Sequence, residues 1–158
     1  MSFTIRKAQP SDSKTIYNLI YQLAVYEKLE NDVVTTPEEL QKQIFENNFA
    51  EVLIGEENGI PVSFALYFFN FSTFLGKPGL YLEDLFVEPD YRGKGYGKKL
   101  LIELAKIAKE KNCGRMEWSV LDWNTPSIEF YKSLGAKPMD EWTVFRLTKD
   151  AINKLSEM

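Results

Sequence analysis

The stretch DYRGKGYGKKLL, residues 90–101, constrains the fold of this 158-residue chain more than any other feature. It places Gly93, Gly95 and Gly97 directly after an apolar, strand-like segment and directly before apolar residues at helical spacing. Glycine adopts positive φ without strain, and it has no Cβ atom to hold a ligand away from the main chain. The stretch therefore predicts a tight turn from a strand into a helix, with unsatisfied main-chain N–H groups at the start of that helix.

Three phosphate-binding patterns can be compared with this turn. The Walker pattern fails because Arg92 stands where its first glycine belongs and Lys99 replaces its Ser or Thr. The dinucleotide fingerprint fails because Leu100 occupies the place of its third glycine. The third pattern, Arg-x-x-Gly-x-Gly, is met by Arg92, Gly95 and Gly97.

The third pattern is suited to binding an anion. N–H groups at a helix N-terminus attract phosphate oxygens, and Arg92 and Lys98 add formal positive charge. A glycine-rich turn that has only a structural role and binds no ligand could contain the same residues. From these residues alone, both interpretations stay open.

Composition excludes several classes of function. The net charge of −4 disfavours a nucleic-acid-binding protein. The chain has no histidine and a single cysteine, Cys113, so we expect no metal site and no histidine base. No segment resembles a signal peptide or reaches membrane-spanning length, so we expect a cytoplasmic protein that does not bind membranes.

Apolar periodicity predicts the order of secondary structure. Four helices are predicted. The first ends at about Tyr26, the second follows the capping box that begins at Thr36, the third follows the glycine stretch, and the fourth runs from Thr125 to a C-cap at Gly135. Strands are predicted at residues 3–8, as a hairpin within 51–71, and at 80–87, 115–121 and 142–147. The order β-α-α-β-β-β-α-β-α-β, without repeats or linkers, predicts one mixed α/β domain over residues 1–158.

Two segments beside the glycine pattern carry a family resemblance. LEDLFVEPDY (82–91) precedes the pattern, and NTPSIEFYKSLGA (124–136) follows it. With Arg-x-x-Gly-x-Gly between them, the chain resembles the GNAT superfamily of N-acetyltransferases. The resemblance implies the α/β GNAT acyltransferase fold, a mixed and mostly antiparallel central sheet of about 6–7 strands flanked by about 4 helices. It also implies acetyl-CoA as the cofactor.

The resemblance assigns cofactor contacts to individual residues. Asn124 falls on the position that binds the pantetheine arm, and Tyr131 on the position beside the thioester sulfur. The main chain of Leu85, Phe86 and Val87 is expected to bind the same arm as an added strand would. The diphosphate-binding turn comprises Arg92, Gly93, Lys94, Gly95, Tyr96, Gly97 and Lys98.

Acetyl transfer to an amine sets two chemical demands. A lysine-like amine has a pKa near ~10.4, so freeing it at pH 7 costs about 4.6 kcal/mol and requires a proton acceptor. Glu83 and Asp84 interrupt an apolar strand, where a carboxylate is costly, and only one faces a given cleft unless a bulge intervenes. We expect Glu83 to bind the amine and accept its proton through water. Tyr131 is expected to protonate the leaving thiolate.

Within the superfamily, the chain is most similar to the spermidine/spermine (diamine) acetyltransferase group. This similarity is carried by residues 23–30, 76–97 and 123–136 and by Glu141-Trp142. It implies a homodimer and a small cationic diamine or polyamine as substrate. Because Cys113 is the only thiol and its place at the end of a helix, before Gly114, suggests a structural role, we expect direct transfer within a ternary complex, without an acetyl-enzyme. The alternatives are a lysine-like amino acid such as thialysine, a protein amine, or a non-catalytic module that senses acyl-CoA. The expected substrate contacts are Glu27, Glu83, Asp84, Glu141 and Trp142.

Overall fold

The computed structural model describes residues 2–158, which divide into two compact units. The first unit ends at Ser119, and the second comprises Val120–Met158.

A single sheet organises the first unit. Its strands are β1 (Phe3–Lys7), β2 (Glu51–Glu57), β3 (Ile60–Ser72), β4 (Lys77–Val87) and β5 (Arg115–Trp118). They lie in the order β1-β2-β3-β4-β5, and every neighbouring pair is antiparallel except β4 and β5, which are parallel. The mixed, mostly antiparallel sheet predicted from the sequence is thus confirmed.

The β2–β3 hairpin follows from its turn residues. Asn58 and Gly59 join the two strands, and both have positive φ, +52° and +82°. A two-residue turn with this backbone matches the right-handed twist of the paired strands. This hairpin fixes the position of Glu57, the last residue of β2.

Three helices pack in the first unit: α1 (Ser13–Tyr26), α2 (Pro37–Gln41), which continues as a π turn over Lys42–Glu46, and α3 (Tyr96–Glu110). Apolar residues of α1 at helical spacing, among them Ile16 and Leu19, form one core with Ile54, Phe64 and Phe86 of the sheet. No helix of residues 2–158 is both long and apolar enough to span a bilayer.

The second unit contains α4 (Thr125–Ser133) and α5 (Lys149–Ser156). After α4, Gly135 has φ +93° and donates to the carbonyl of Lys132, while the N–H of Ala136 bonds to the carbonyl of Tyr131. This pair of bonds is a Schellman motif, so the C-cap predicted at Gly135 is confirmed. Helix α5 is not among the predicted helices, although Thr148 precedes it and Ile152 and Leu155 share a face.

The predicted number of strands is wrong. Residues 2–158 form five strands rather than six or seven, and β5 ends at Trp118 instead of residue 121. Residues 142–147 are not a strand; the N–H of Trp142 closes a turn onto the carbonyl of Met139. An alternating pattern describes which side chains suit a strand, but a strand forms only where another segment pairs with its main chain. The same described residues form five α-helices rather than about four.

Candidate active site

The candidate site begins where β4 loses one of its two neighbours. β5 pairs with β4 only from Gly79 to Leu82. From there to Val87, the only strand partner of β4 within residues 2–119 is β3, on its other edge. Extended main chain with an open edge can accept a further strand-like segment. The open edge includes Leu85, Phe86 and Val87, the residues expected to contact the pantetheine arm.

A β-bulge lies at the point where this edge opens. Leu66 of β3 is opposite Asp84 and Tyr67 is opposite Leu82, so Glu83 is the extra residue. A bulge interrupts the regular alternation of side chains along the strand. Because of this bulge, both Glu83 and Asp84 can face the same cleft.

Three carboxylates meet around the bulge. Glu83 is exposed, whereas Asp84 is partly buried. Burial, followed by the negative charges of Glu83 and Glu27, raises the pKa of Asp84 to about 7. Glu27 follows the last residue of α1, and burial raises the pKa of its carboxyl as well. The end of α1 and the bulge of β4 thus form an acidic cluster of Glu27, Glu83 and Asp84.

The glycine loop, defined as residues 91–98, comprises the turn that follows β4 and the first turn of α3, and its shape suits a bound diphosphate. Gly93 and Gly95 both have φ +81°, a backbone conformation that other residues adopt only with strain. Apart from the glycine itself and its two chain neighbours, no atom of residues 2–158 lies within 4 Å of where a Cβ atom would stand at either position. The space beside both glycines is open, and Gly95 is the N-cap of α3, whose first N–H groups are available to an anion.

Arg92 connects the glycine loop to the open strand. Its Nε donates to the main-chain carbonyl of Val87 at 2.9 Å. Its guanidinium lies 4.8 Å from the ring centroid of Tyr26 and 5.3 Å from that of Phe86. The side chain therefore links the end of α1 to the end of β4, and its expected contact with phosphate stays a prediction.

Lys94 and Tyr96 have a partner that the sequence analysis missed. Glu57 accepts hydrogen bonds from the Lys94 ammonium, at 3.0 Å, and from the Tyr96 hydroxyl. The Tyr96 ring also stacks on Phe3, with the ring centroids 3.8 Å apart. The side chains of Lys94 and Tyr96 thus contact the end of β2, and the Tyr96 ring also contacts Phe3 of β1. The cofactor contacts expected at these two residues stay predictions.

Within the second unit, Asn124 is the N-cap of α4, and its Oδ1 accepts from the N–H of Ser127 at 3.4 Å. Tyr131 lies on α4 beside Phe130, with ring centroids 5.7 Å apart. Glu141 and Trp142 fall in the irregular segment before α5. The roles assigned to these four residues stay predictions.

A protein-family model gives the first comparison with known proteins. The model described as "Acetyltransferase (GNAT) family" matches residues 16–136, which include the acidic cluster and the glycine loop. The chain belongs to this family. It is therefore an N-acetyltransferase that uses acetyl-CoA, as the family does. The resemblance stated from the sequence is confirmed at this level.

Curated relatives support the assignment over the full length. A thialysine N-epsilon-acetyltransferase of Sus scrofa is 36% identical, with 98% of each chain covered. An L-ornithine N5-acetyltransferase of Arabidopsis thaliana is 32% identical over 98% of this chain and 88% of the relative. A human spermidine/spermine N(1)-acetyltransferase-like protein is 34% identical over 95% of this chain, which spans 23% of that protein.

Solved structures confirm the GNAT fold. An integron cassette protein from V. cholerae superimposes with a TM-score of 0.83 and 29% identity, covering all of this chain and 99% of the other. A predicted acetyltransferase from Clostridium acetobutylicum, solved with acetyl-CoA, gives a TM-score of 0.76 and 25% identity, covering 92% and 97%.

Proposed function

We propose that this GNAT acetyltransferase acetylates a primary amine of a small cationic substrate, a diamine or polyamine, by direct transfer within a ternary complex. The observation that carries the proposal is the acidic cluster of Glu27, Glu83 and Asp84, placed directly before the glycine loop. Glu27 and Asp84 are partly buried, and a carboxylate in such a place attracts an ammonium group more strongly than a fully solvated one because the surrounding dielectric is lower.

The raised pKa of Asp84 supports a role in proton transfer. A carboxyl whose pKa is about 7 can accept a proton near neutral pH and release it again. A direct ion pair would instead stabilise the ammonium form, which cannot attack. The Glu83–Asp84 pair therefore takes the proton through water, and burial, together with the charge of Glu83, keeps Asp84 basic.

The other assigned site residues bind acetyl-CoA and orient it. Acetyl-CoA supplies the acetyl group as a thioester when bound. Main-chain N–H groups of the glycine loop hold the diphosphate, and the main chain of Leu85–Val87 orients the arm at the open edge of β4, with Asn124 as a further contact. Tyr131 carries a proton on its phenol oxygen and delivers it to the leaving sulfur.

Removing the Tyr131 hydroxyl tests the proposed acid. Tyr131→Phe is expected to lower kcat roughly tenfold, because water replaces the phenol only in part, and to leave the Kd for CoA unchanged. Tyr81→Phe is the matched control, since it also removes a hydroxyl that forms a hydrogen bond, to Ser119 at 2.9 Å. A Tyr131→Phe enzyme with full kcat would remove the proposed role.

Direct transfer predicts that Cys113 is dispensable. Burial raises the pKa of its thiol, so at neutral pH it is protonated and a poor nucleophile. Cys113→Ser should keep kcat within about twofold, and initial-rate plots should intersect instead of running parallel as in a ping-pong scheme. Parallel lines, or loss of activity in Cys113→Ser, would indicate an acetyl-enzyme.

A second candidate substrate is a lysine-like amino acid such as thialysine or ornithine. The names of the Sus scrofa and Arabidopsis thaliana relatives favour it. An amino acid also brings a carboxylate, which needs a cation. Arg6 and Arg115 of the first unit are already paired with Asp12 and Glu117, which leaves Arg92 and Arg146 as the arginines that could bind it.

The experiment that tests the function is a panel of acceptors. CoA release is measured with spermidine, spermine, putrescine, lysine, thialysine and a lysine-containing peptide. The proposal predicts the highest kcat/KM for a diamine or polyamine. A preference for thialysine or lysine supports the amino-acid candidate, and a preference for the peptide indicates a protein substrate. Binding of acetyl-CoA without CoA release from any acceptor indicates an acyl-CoA sensor.

The resemblance to the diamine acetyltransferase group also leads us to propose a homodimer. Light scattering of the purified protein measures its mass directly; a single 18.3 kDa species would contradict this proposal.

A further inference from the structure

We propose that Glu57 is a positioning residue for acetyl-CoA: it holds the glycine loop, through Lys94 and Tyr96, in the shape that presents its main-chain amides to the diphosphate. The inference rests on the proposed diphosphate site. Glu57 lies at the β2–β3 hairpin, 37 residues before Lys94, and does not itself belong to the loop.

Within residues 2–158, the side-chain hydrogen bonds of Glu57 are directed to the loop. The side chain is 7% exposed, so its charge needs partners. The Lys94 ammonium donates to both carboxylate oxygens, at 3.4 and 3.0 Å, and the Tyr96 hydroxyl donates to Oε2. These two donors flank Gly95 in the sequence. One buried carboxylate thus fixes the chain on both sides of the glycine at the N-cap of α3.

The ring of Tyr96 adds a second attachment to the sheet. It stacks on Phe3 with an interplanar angle of 9°, and Phe3 is the register partner of Glu57 in the β1–β2 ladder. Phe3, Glu57 and Tyr96 therefore form a single anchor from the edge of the sheet to the first turn of α3. The Lys99 ammonium lies 5.7 Å from the Phe3 ring centroid and extends it by a cation–π contact.

The loop needs such an anchor because of its glycines. Gly93 and Gly95, both at φ +81°, have the widest conformational freedom of any residue type when they are not held. An unanchored loop would lose that freedom only on binding the diphosphate, which weakens binding. Glu57 removes the freedom in advance. It also neutralises Lys94, so this lysine acts through its backbone and not as the cation that meets the phosphate.

The protonation states agree with this arrangement. The hydrogen bond from Tyr96, followed by that from Lys94, lowers the pKa of Glu57. The hydrogen bond that Tyr96 donates to Glu57 raises the pKa of Tyr96 to about 12, so the hydroxyl stays protonated and remains a donor. Because the pKa of Glu57 is lower in the folded state, its stabilising effect is complete above the pKa of an ordinary glutamate. The effect is lost as the pH falls through the lowered value.

The test compares Glu57→Ala with Glu56→Gln. Glu56 is the adjacent residue and is also paired, with Arg6 at 3.3 Å, but it does not contact the loop. Glu57→Ala should raise the Kd for CoA about tenfold by calorimetry. It should also speed amide hydrogen exchange of residues 93–98 in the protein without ligand. Glu56→Gln should do neither, and Glu57→Gln, which retains an acceptor oxygen, should restore part of the affinity.

A truncated thioester separates positioning from a general loss of structure. S-acetylpantetheine has no diphosphate, so the KM for it should be unchanged in Glu57→Ala, whereas the KM for acetyl-CoA rises. Equal effects on both thioesters, or unchanged Kd and exchange, would overturn the inference. If Glu57→Ala does not fold, Tyr96→Phe keeps the ring stack and removes one donor. It should raise the Kd for CoA about threefold, and an unchanged Kd would overturn the inference equally.

The outcome is distinguishable from failure of the diphosphate site itself. If Gly95→Asp still binds CoA normally, the site is misplaced and the role of Glu57 falls with it. If Gly95→Asp loses CoA while Glu57→Ala retains normal affinity and exchange, the site stands and only the role of Glu57 is refuted.

Discussion

Gly95→Asp should abolish acetyl-CoA binding, raising the Kd more than about 100-fold. Two effects combine. Gly95 has φ +81°, where a residue with a Cβ is strained by roughly 1–2 kcal/mol. The new carboxylate would also project into the open space beside the N-cap of α3, where the diphosphate is expected. Repulsion between the new carboxylate and the diphosphate adds to this steric cost.

The measurement is calorimetric titration with CoA, together with a melting curve to confirm folding. Gly76→Asp is the matched control. Gly76 also has positive φ, +64°, and open space where a Cβ would stand, but it lies in the turn before β4, at the opposite end of that strand from the glycine loop. Gly76→Asp should lose comparable stability and retain CoA affinity. Normal CoA binding by Gly95→Asp would refute the diphosphate site.

Asp84→Asn is expected to lower kcat/KM about 100-fold at pH 7 by removing the proton acceptor at the bulge. The pH profile provides the sharper signature. Asp84, with a pKa of about 7, is protonated below that pH and cannot accept a proton. Wild-type kcat/KM should therefore rise with pH up to about 7, and Asp84→Asn should lose this limb.

The same substitution should stabilise the protein at alkaline pH. The pKa of Asp84 is raised in the folded state, so the unfolded chain releases this proton first as the pH rises from about 4. Ionised Asp84 thus costs stability, fully so above pH 7, and one pKa unit corresponds to about 1.4 kcal/mol. Asp84→Asn should melt higher than wild type at pH 8, by a stability gain of up to roughly 4 kcal/mol for a shift of about three pKa units, and show no such gain at pH 4.

Two further variants complete this experiment. Glu110→Gln removes an exposed carboxylate at the end of α3 and should change neither the pH profile nor the melting temperature. Glu83→Gln should lower the apparent pKa of the limb, because the charge of Glu83 raises the pKa of Asp84. If Glu83→Gln eliminates the limb and Asp84→Asn keeps it, the proton passes to Glu83 alone, as first expected from the sequence.

Local features of the fold were predictable because their signals lie within a few residues. Glycines between a strand and apolar residues at helical spacing predicted the loop and α3. The Asn58-Gly59 turn predicted the β2–β3 hairpin, and Gly135 predicted the end of α4. Glu83 and Asp84 stood out because a carboxylate in an apolar strand needs a purpose.

Features that depend on distant partners were not predictable. The bulge at Glu83 exists only relative to the register of β3, so the sequence of β4 raised the possibility and could not decide it. Glu57 meets Lys94 and Tyr96 across 37 and 39 residues, and nothing beside it in the sequence marks it as buried. Residues 142–147 show the opposite error. Their alternating side chains suit a strand, but the sequence pattern does not tell whether another segment pairs with their main chain, and they form no strand.

The most direct measurement is a crystal structure of the protein with CoA. Diphosphate oxygens are expected within hydrogen-bonding distance of main-chain N–H groups between Gly93 and Lys98, and the pantetheine arm is expected along the open edge of β4 at Leu85–Val87. CoA bound elsewhere, with these amides unliganded, would refute the diphosphate site at the glycine loop.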